Sequence, residues 1–238
     1  MPNVVVRYVD AGATGSGDGS SWDNAYTNLP VALAASSYGT QLWIAEGTYV
    51  PSNSDRTLSF TLRDGVSLYG GFPLGGGDGT FAARIPTAHP TILSGDIGVQ
   101  GDASDNSAHV LRGDNSIGRE IVVDGVVIAG GNANADAPHN RGGGLYLTGG
   151  VVTLRNCIIR DNRAEGGAPA VFASDGATLT IDGCVIESNS TPGEGSAVQI
   201  DDGSATLIDN TIIRNNAGAF GIGPLRLVRG TSTVRNTV

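Results

Sequence analysis

The sequence predicts an all-β fold: a right-handed, single-stranded parallel β-helix with three faces, rungs of about 27 residues and a short N-terminal capping helix. Two observations carry this. Three ten-residue stretches recur at that period: Thr153 to Asn162 (TLRNCIIRDN), Thr180 to Asn189 (TIDGCVIESN) and Leu207 to Asn216 (LIDNTIIRNN). A fixed period of this size marks stacked supersecondary units. Each repeat also carries a second short apolar run after a glycine-rich turn: Leu145-Tyr146-Leu147, Val171-Phe172-Ala173, Val198-Gln199-Ile200 and Leu225-Arg226-Leu227. Short strands separated by turns make one triangular coil. Coils stacked at ~4.8 Å pair each strand in parallel with its copy one rung away, and crossover handedness selects the right-handed form.

Composition agrees. Among 238 residues there are 37 glycines, about twice the usual ~7% share. The apolar 39% is carried mainly by Val, Ile, Leu and Ala, residues suited to strands joined by tight turns. The net charge is −9 and all 14 basic residues are Arg. An acidic surface repels phosphate backbones, so nucleic acid is not an expected partner. The absence of Lys excludes a Lys base, a Schiff base and a Lys–Asn crosslink within the chain. Two cysteines without a CxxC or Cys/His cluster do not make a zinc site. No run of 18 apolar residues predicts a membrane span, and Met1-Pro2-Asn3-Val4 lacks the regions of a signal peptide.

One domain is expected over 1–238, in three parts. Residues 1–40 hold the opening strand Val4 to Val9, a turn-rich loop, and a capping helix over Ala25 to Ser36 with Asp23 or Asn24 as its cap. Its stripe of Leu29, Val31, Leu33 and Ala34 suits the open end of a solenoid, where bare core would meet water. Residues 41–120 read as irregular rungs: strands at Leu42 to Ala45, Ser59 to Leu62, Val66 to Tyr69, Thr91 to Ser94 and Val110 to Arg112, with long loops at 72–90 and 96–108. Residues 121–238 read as regular rungs, the last one incomplete. Equal offsets place Ile159, Ile186 and Ile213 in an internal aliphatic ladder. They place Asn162, Asn189 and Asn216 in an amide ladder at a turn. Cys157, Cys184 and Thr211 share a third offset. The two cysteines are either free stacked thiols, the favoured reading, or a disulfide between rungs.

These residues resemble the right-handed parallel β-helix family of large secreted bacterial surface proteins. The same fold appears in pectate-lyase-like enzymes, autotransporter passengers and polymorphic outer membrane proteins. The likeness runs through Tyr8-Val9-Asp10-Ala11 to Trp22, Leu42-Trp43-Ile44-Ala45-Glu46-Gly47-Thr48-Tyr49, Gly65 to Phe72, Thr91-Ile92-Leu93-Ser94-Gly95-Asp96 and Asp105 to Val110. It covers nearly the whole chain in the family's order. It implies an extracellular or cell-surface protein. Many such proteins resemble adhesins or surface scaffolds, and fold does not fix function.

Several groups on this frame have the residue types that chemistry needs. Asp201-Asp202 has the composition of a glycosidase acid/base pair, yet it also reads as a solvated turn, and the Gly-His-Gly and Arg-Ile-Lys motifs of polygalacturonase-like enzymes are absent. A uronate lyase needs calcium and an Arg or Lys base. Arg155, Arg160 and Arg214 are available, with Glu187 between the latter two at one offset, which equally makes an exposed charge ladder. Oxygen-rich loops offer calcium ligands at Asp96, Asp102, Asp105 and Asn106, and at Asp10 and Asp18. Asx-turns account for the same residues, and no cofactor is required. Tyr146 and Phe172 fall in one outward column, exposed and able to stack on sugar faces. His89, His109 and His139 have no partner spacing. Partial Thr columns (Thr178, Thr180, Thr231, Thr233) are interrupted by Leu207 and Asp209.

The expectation is therefore a non-catalytic extracellular structural or adhesive β-helix of a bacterial surface that self-assembles head to tail into a filament, with Val4 to Val9 as the joining edge, or that binds other surface proteins or glycans. The alternative is a polysaccharide-binding or polysaccharide-cleaving β-helix protein.

Overall fold

A computed structural model describes residues 4–137, 139–193, 195–216 and 223–238. It is a right-handed β-solenoid of about 7 turns with all strands parallel. The first face stacks Val5–Val9, Thr40–Ala45, Ser67–Phe72, Ile121–Asp124, Val151–Arg155 and Thr178–Asp182. The second stacks Gly47–Tyr49, Thr91–Ser94, Val126–Ala129, Ile158–Arg160, Val185–Glu187 and Thr211–Ile213. The third stacks Phe60–Thr61, Leu111–Asp114, Leu145–Thr148 and Val171–Ser174. Two long strands, Val198–Ile208 and Leu225–Arg235, start on the third face and bend onto the first.

Side chains alternate across each strand, so one residue in two enters the triangle. Ile121 and Val123, then Val152 and Leu154, then Leu179 and Ile181 line it from the first face, all at most 1% exposed. Leu93, Ile128, Ile159 and Ile186 line it from the second, all 0% exposed. Each such side chain contributes about 1.5–3 kcal/mol on burial. From Ile121 onward, the first corner takes a left-handed backbone on each rung. Gly125, Asn156, Gly183, Asp209 and Asn236 stand there with φ of 71°, 50°, 62°, 53° and 46°. Gly, Asn and Asp are the residues that adopt this region at least cost, so the column varies in identity while keeping one conformation.

One rung is a residue shorter than the period. On the third face Val171 pairs with Val198, 27 positions on. Past the turn, Thr178 pairs with Ser204, 26 positions on. The turn Asp202-Gly203 replaces the longer Asp175-Gly176-Ala177. This shift corrects three expected ladders. Ile186 stacks on Ile212, which is 9% exposed, and Ile213 faces outward opposite Glu187 at 38%. The side-chain ladder continues from Asn189 to Asn215, not Asn216: Asn215 Oδ1 accepts from both the Asn189 N–H and its Nδ2, each at 3.0 Å. Asn216 instead bridges to Ser190. Asn210, not Thr211, follows Cys184 in the cysteine column, its Oδ1 accepting the Cys184 N–H at 2.8 Å.

The capping helix is also shorter than expected, Leu29–Ala35, with Asn28 as its cap through a 3.0 Å bond from the Val31 N–H. Asp23 and Asn24 precede a segment with another task. Tyr26 donates to Tyr8 O at 2.9 Å and accepts from Asp10 N at 2.9 Å, while Tyr8 N donates to Gly19 O at 3.1 Å. Residues 19–26 thus cover the outer edge of the opening strand at Tyr8 and Asp10. Leu29, Ala32 and Leu33 join the core with Val9 and Leu42.

Candidate functional site

A concavity of about 430 Å³ lies along the corner between the first and second faces. Its floor is the outward column Val127, Ile158 and Val185, one residue per rung. Pro86 and Thr87 wall one side, and Arg84, Asp124 and Asn156 close one end. The loop after Phe72 delivers Arg84, which the fold then fixes at three points. Its Nε donates to Gly70 O at 2.7 Å, and its Nη2 donates to Asp124 O at 3.1 Å and Oδ1 at 2.7 Å. The two side chains are only 10% and 8% exposed. A buried pair of this kind is kept in place because either charge alone would be strongly destabilising.

Beside the groove, sequence reasoning missed an aromatic platform. Tyr8, Trp43 and Tyr69 pair along consecutive first-face strands, and Asp124 follows them. Trp43 stacks on Phe72 at 5.0 Å, Phe81 lies 5.4 Å from Trp43 and 5.3 Å from Tyr69, and Trp22 lies 4.8 Å from Tyr8. The Arg84 guanidinium sits 4.8 Å over Phe81. The signal was present, since all three column residues sit at one strand position, but unequal spacing of the first rungs hid it.

The expected aromatic pair behaves differently. Tyr146 and Phe172 do stack in an outward column, 5.6 Å apart, but they are 4% and 5% exposed. His109 stacks on Tyr146 at 4.7 Å and Arg141 lies 5.3 Å over Phe172. These rings form a small second core with Ala168 and are not an open sugar platform. His109 donates from Nδ1 to Gly142 O at 3.0 Å, and burial pushes its pKa down to about 4.

The expected calcium-ligating carboxylates are spread through turns, each receiving backbone N–H donors. Asp10 takes Gly12 N and Gly75 N, both at 2.8 Å, which ties the first loop to the turn at Leu74–Gly76. Asp18 takes Ser20 N at 2.8 Å, Asp102 takes Ser104 N at 2.9 Å, Asp105 takes Val99 N at 2.7 Å and Asp96 takes Gly101 N at 3.0 Å. The cation of the 96–108 loop is Arg56, which donates to Asn106 O at 2.7 Å and Asn134 Oδ1 at 2.7 Å. Among the described residues, no three His, Cys, Asp or Glu side chains gather as a metal site.

Other candidates resolve into local pairs. Asp201 meets Arg229 at 3.2 Å, while Asp202 occupies a left-handed turn position with φ of 65°. Arg155 meets Asp182 at 3.3 Å. Arg160 pairs across the rungs with Glu187, which is followed by Ile213. Arg214 is therefore out of that column, 3.9 Å from Glu187 across the turn. His89 lies 3.3 Å from Glu46. The one-residue shift also closes the Thr columns that Leu207 and Asp209 were expected to break. Thr153, Thr180, Thr206 and Thr233 pair in sequence, and so do Thr178, Ser204 and Thr231. Thr153 itself is covered, donating to Glu120 Oε1 at 2.7 Å.

Cys157 and Cys184 are both free and buried at the groove corner. The Cys157 N–H donates to Cys184 Sγ at 3.3 Å, and burial pushes the Cys157 thiol up.

Stacked corners, inward aliphatic ladders and three parallel faces define a right-handed parallel β-helix protein. The chain belongs to the right-handed beta helix region family, whose model matches residues 98–237. Neither the comparison with curated proteins nor that with solved structures found a match.

Proposed function

We propose that this protein is a non-catalytic structural β-helix of an extracellular surface, presenting its faces to other surface proteins or glycans. The supporting observation is how its charged groups are used. The adjacent carboxylates Asp201 and Asp202 part company, one in an ion pair with Arg229 and the other in a turn. A glycosidase needs two carboxyls flanking one bond across a cleft. Arg155, the arginine on the first face beside the groove, is paired with Asp182. The resemblance to secreted bacterial surface proteins supports the surface location. Self-association through the opening strand is narrowed to Val4 and Val6, because the outer backbone groups at Tyr8 and Asp10 are engaged. The test is incubation with a panel of neutral and uronate polysaccharides, with and without calcium, reading new reducing ends and unsaturated uronates. No turnover is expected; turnover abolished by Asp201→Asn would overturn the reading.

A second reading, glycan binding, is favoured by the groove and the aromatic platform together. An apolar floor with a few converging polar groups suits an amphipathic ligand, and sugars have one apolar face. Calorimetric titration with oligosaccharides tests it. Binding weakened by Trp43→Ala and untouched by Phe172→Ala supports it, and equal loss in both contradicts it.

A further inference from the structure

Cys157 and Cys184 hold one corner position on consecutive rungs. Their flanking residues pair in register on both sides, Leu154 with Ile181 and Ile158 with Val185. Like side chains in such a ladder repeat at the rung spacing, ~4.8 Å. A disulfide requires ~2.05 Å between sulfurs. To reach it, both side chains would have to turn out of the ladder and leave their carbonyl contacts. Cys157 Sγ donates to Arg155 O at 3.2 Å and Val123 O at 3.4 Å; Cys184 Sγ donates to Asp182 O at 3.5 Å and Leu154 O at 3.6 Å.

Register and direct contact between the two thiols make the sulfurs neighbours on adjacent rungs that one ion can bridge. The donor set is soft and stops at two. The next position on one side is Asn210, whose Oδ1 already accepts the Cys184 N–H, and the position before Cys157 is Val126, one residue ahead of the paired Val127 and Ile158. No third His, Cys, Asp or Glu joins them among the described residues, so a tetrahedral zinc centre lacks its ligands. Thiolate sites of this softness select Cu(I) over harder ions. Cys157 lies directly beneath the wall of the groove beside Gly125, Asn156 and Gly183, its side chain 0% exposed.

We propose that Cys157 and Cys184 form a two-coordinate site for a soft monovalent cation, copper(I) or silver(I), strung between adjacent rungs. Binding is a proton exchange without oxidation. One M⁺ forms two M–S bonds, two S–H bonds break, and two protons pass to water, leaving a bis-thiolate of charge −1. The Cys157 N–H, directed at Cys184 Sγ, offsets part of that charge.

The test uses the full chain, reduced with a non-thiol reductant. Copper(I) is supplied as its bicinchoninate complex and silver(I) as the nitrate. The expected result is one equivalent of copper taken from the chelator, with X-ray absorption reporting two sulfur neighbours and no nitrogen or oxygen. Cys157→Ser and Cys184→Ser should each weaken binding by more than the ~100-fold typical of losing a supporting group, and equimolar zinc should not displace the ion. Because either variant can disturb the core, circular dichroism accompanies them, and the wild-type absorption spectrum decides independently of both. Failure to take copper from the chelator, a shell containing nitrogen or oxygen, or rapid quantitative disulfide formation under a mild oxidant would overturn the site.

Discussion

Single residues set the corners and the closures of this molecule. Arg84 is the clearest case, because one guanidinium ties a long loop to Gly70 and Asp124 on two different rungs. Asp124→Ala leaves that cation buried and unpaired, and should destabilise the fold by about 3–5 kcal/mol. Replacing both partners with apolar residues of similar volume should recover much of the loss in chemical denaturation. His109 provides a pH signature. Folding lowers its pKa from 6.5 to about 4, so between those values the unfolded state binds more protons than the folded state. Its contribution, about 3 kcal/mol, is full above pH ~6.5, declines as pH falls toward ~4, and is gone below. Denaturation curves across that window should show the decline in the wild type, and His109→Phe should remove it relative to its own neutral-pH value. Neither role was legible in the sequence. Arg84 sits in a loop with no periodicity, and His109 is buried by residues from other rungs.

At the scale of the element, the ladders govern. Asn162 and Asn189 stack with 3.0 Å bonds, and Asn189 Nδ2 also donates to Ile159 O at 2.8 Å and Glu187 O at 2.9 Å. Asn189→Ala would strand the buried Asn162 N–H and Ile159 O, at about 1–3 kcal/mol for each orphan. A loss near 3 kcal/mol by urea titration is expected, and a loss under about 0.5 kcal/mol would mean the ladder carries little. Here the sequence was informative to within one residue. Strand positions, inward identities and the Asn162–Asn189 step were legible from the 27-residue period. The next step was not, because the third repeat matches its predecessor about as well at either offset. The deciding feature is the shorter turn at Asp202-Gly203, which lies outside the repeated motif. The same shift moved Ile213, Asn216 and Thr211 out of their expected columns and completed the Thr columns.

For the whole molecule, stacking is quasi-one-dimensional: each rung touches only its neighbours, and stability is a sum of rungs and interfaces. The faces were predictable because periodicity reports them directly. The groove and the aromatic platform were not, since both depend on the irregular first rungs and on the loop carrying Phe81 and Arg84. This division also explains why the chemistry gathers at one end. Regular rungs repeat their outward columns and pair them off, while insertions create concavity. The cysteine pair is an exception, being built by the repeat itself.

Rung register underlies the ladders, the Thr columns and the cysteine stack alike. The most direct measurement is the unfolding free energy of Ile212→Ala against Ile213→Ala. With Ile212 stacked on Ile186 at 9% exposure and Ile213 outward at 38%, the first should cost about 2–4 kcal/mol and the second under about 1 kcal/mol. The reverse order would put the third repeat back at a 27-residue offset and contradict the register described above.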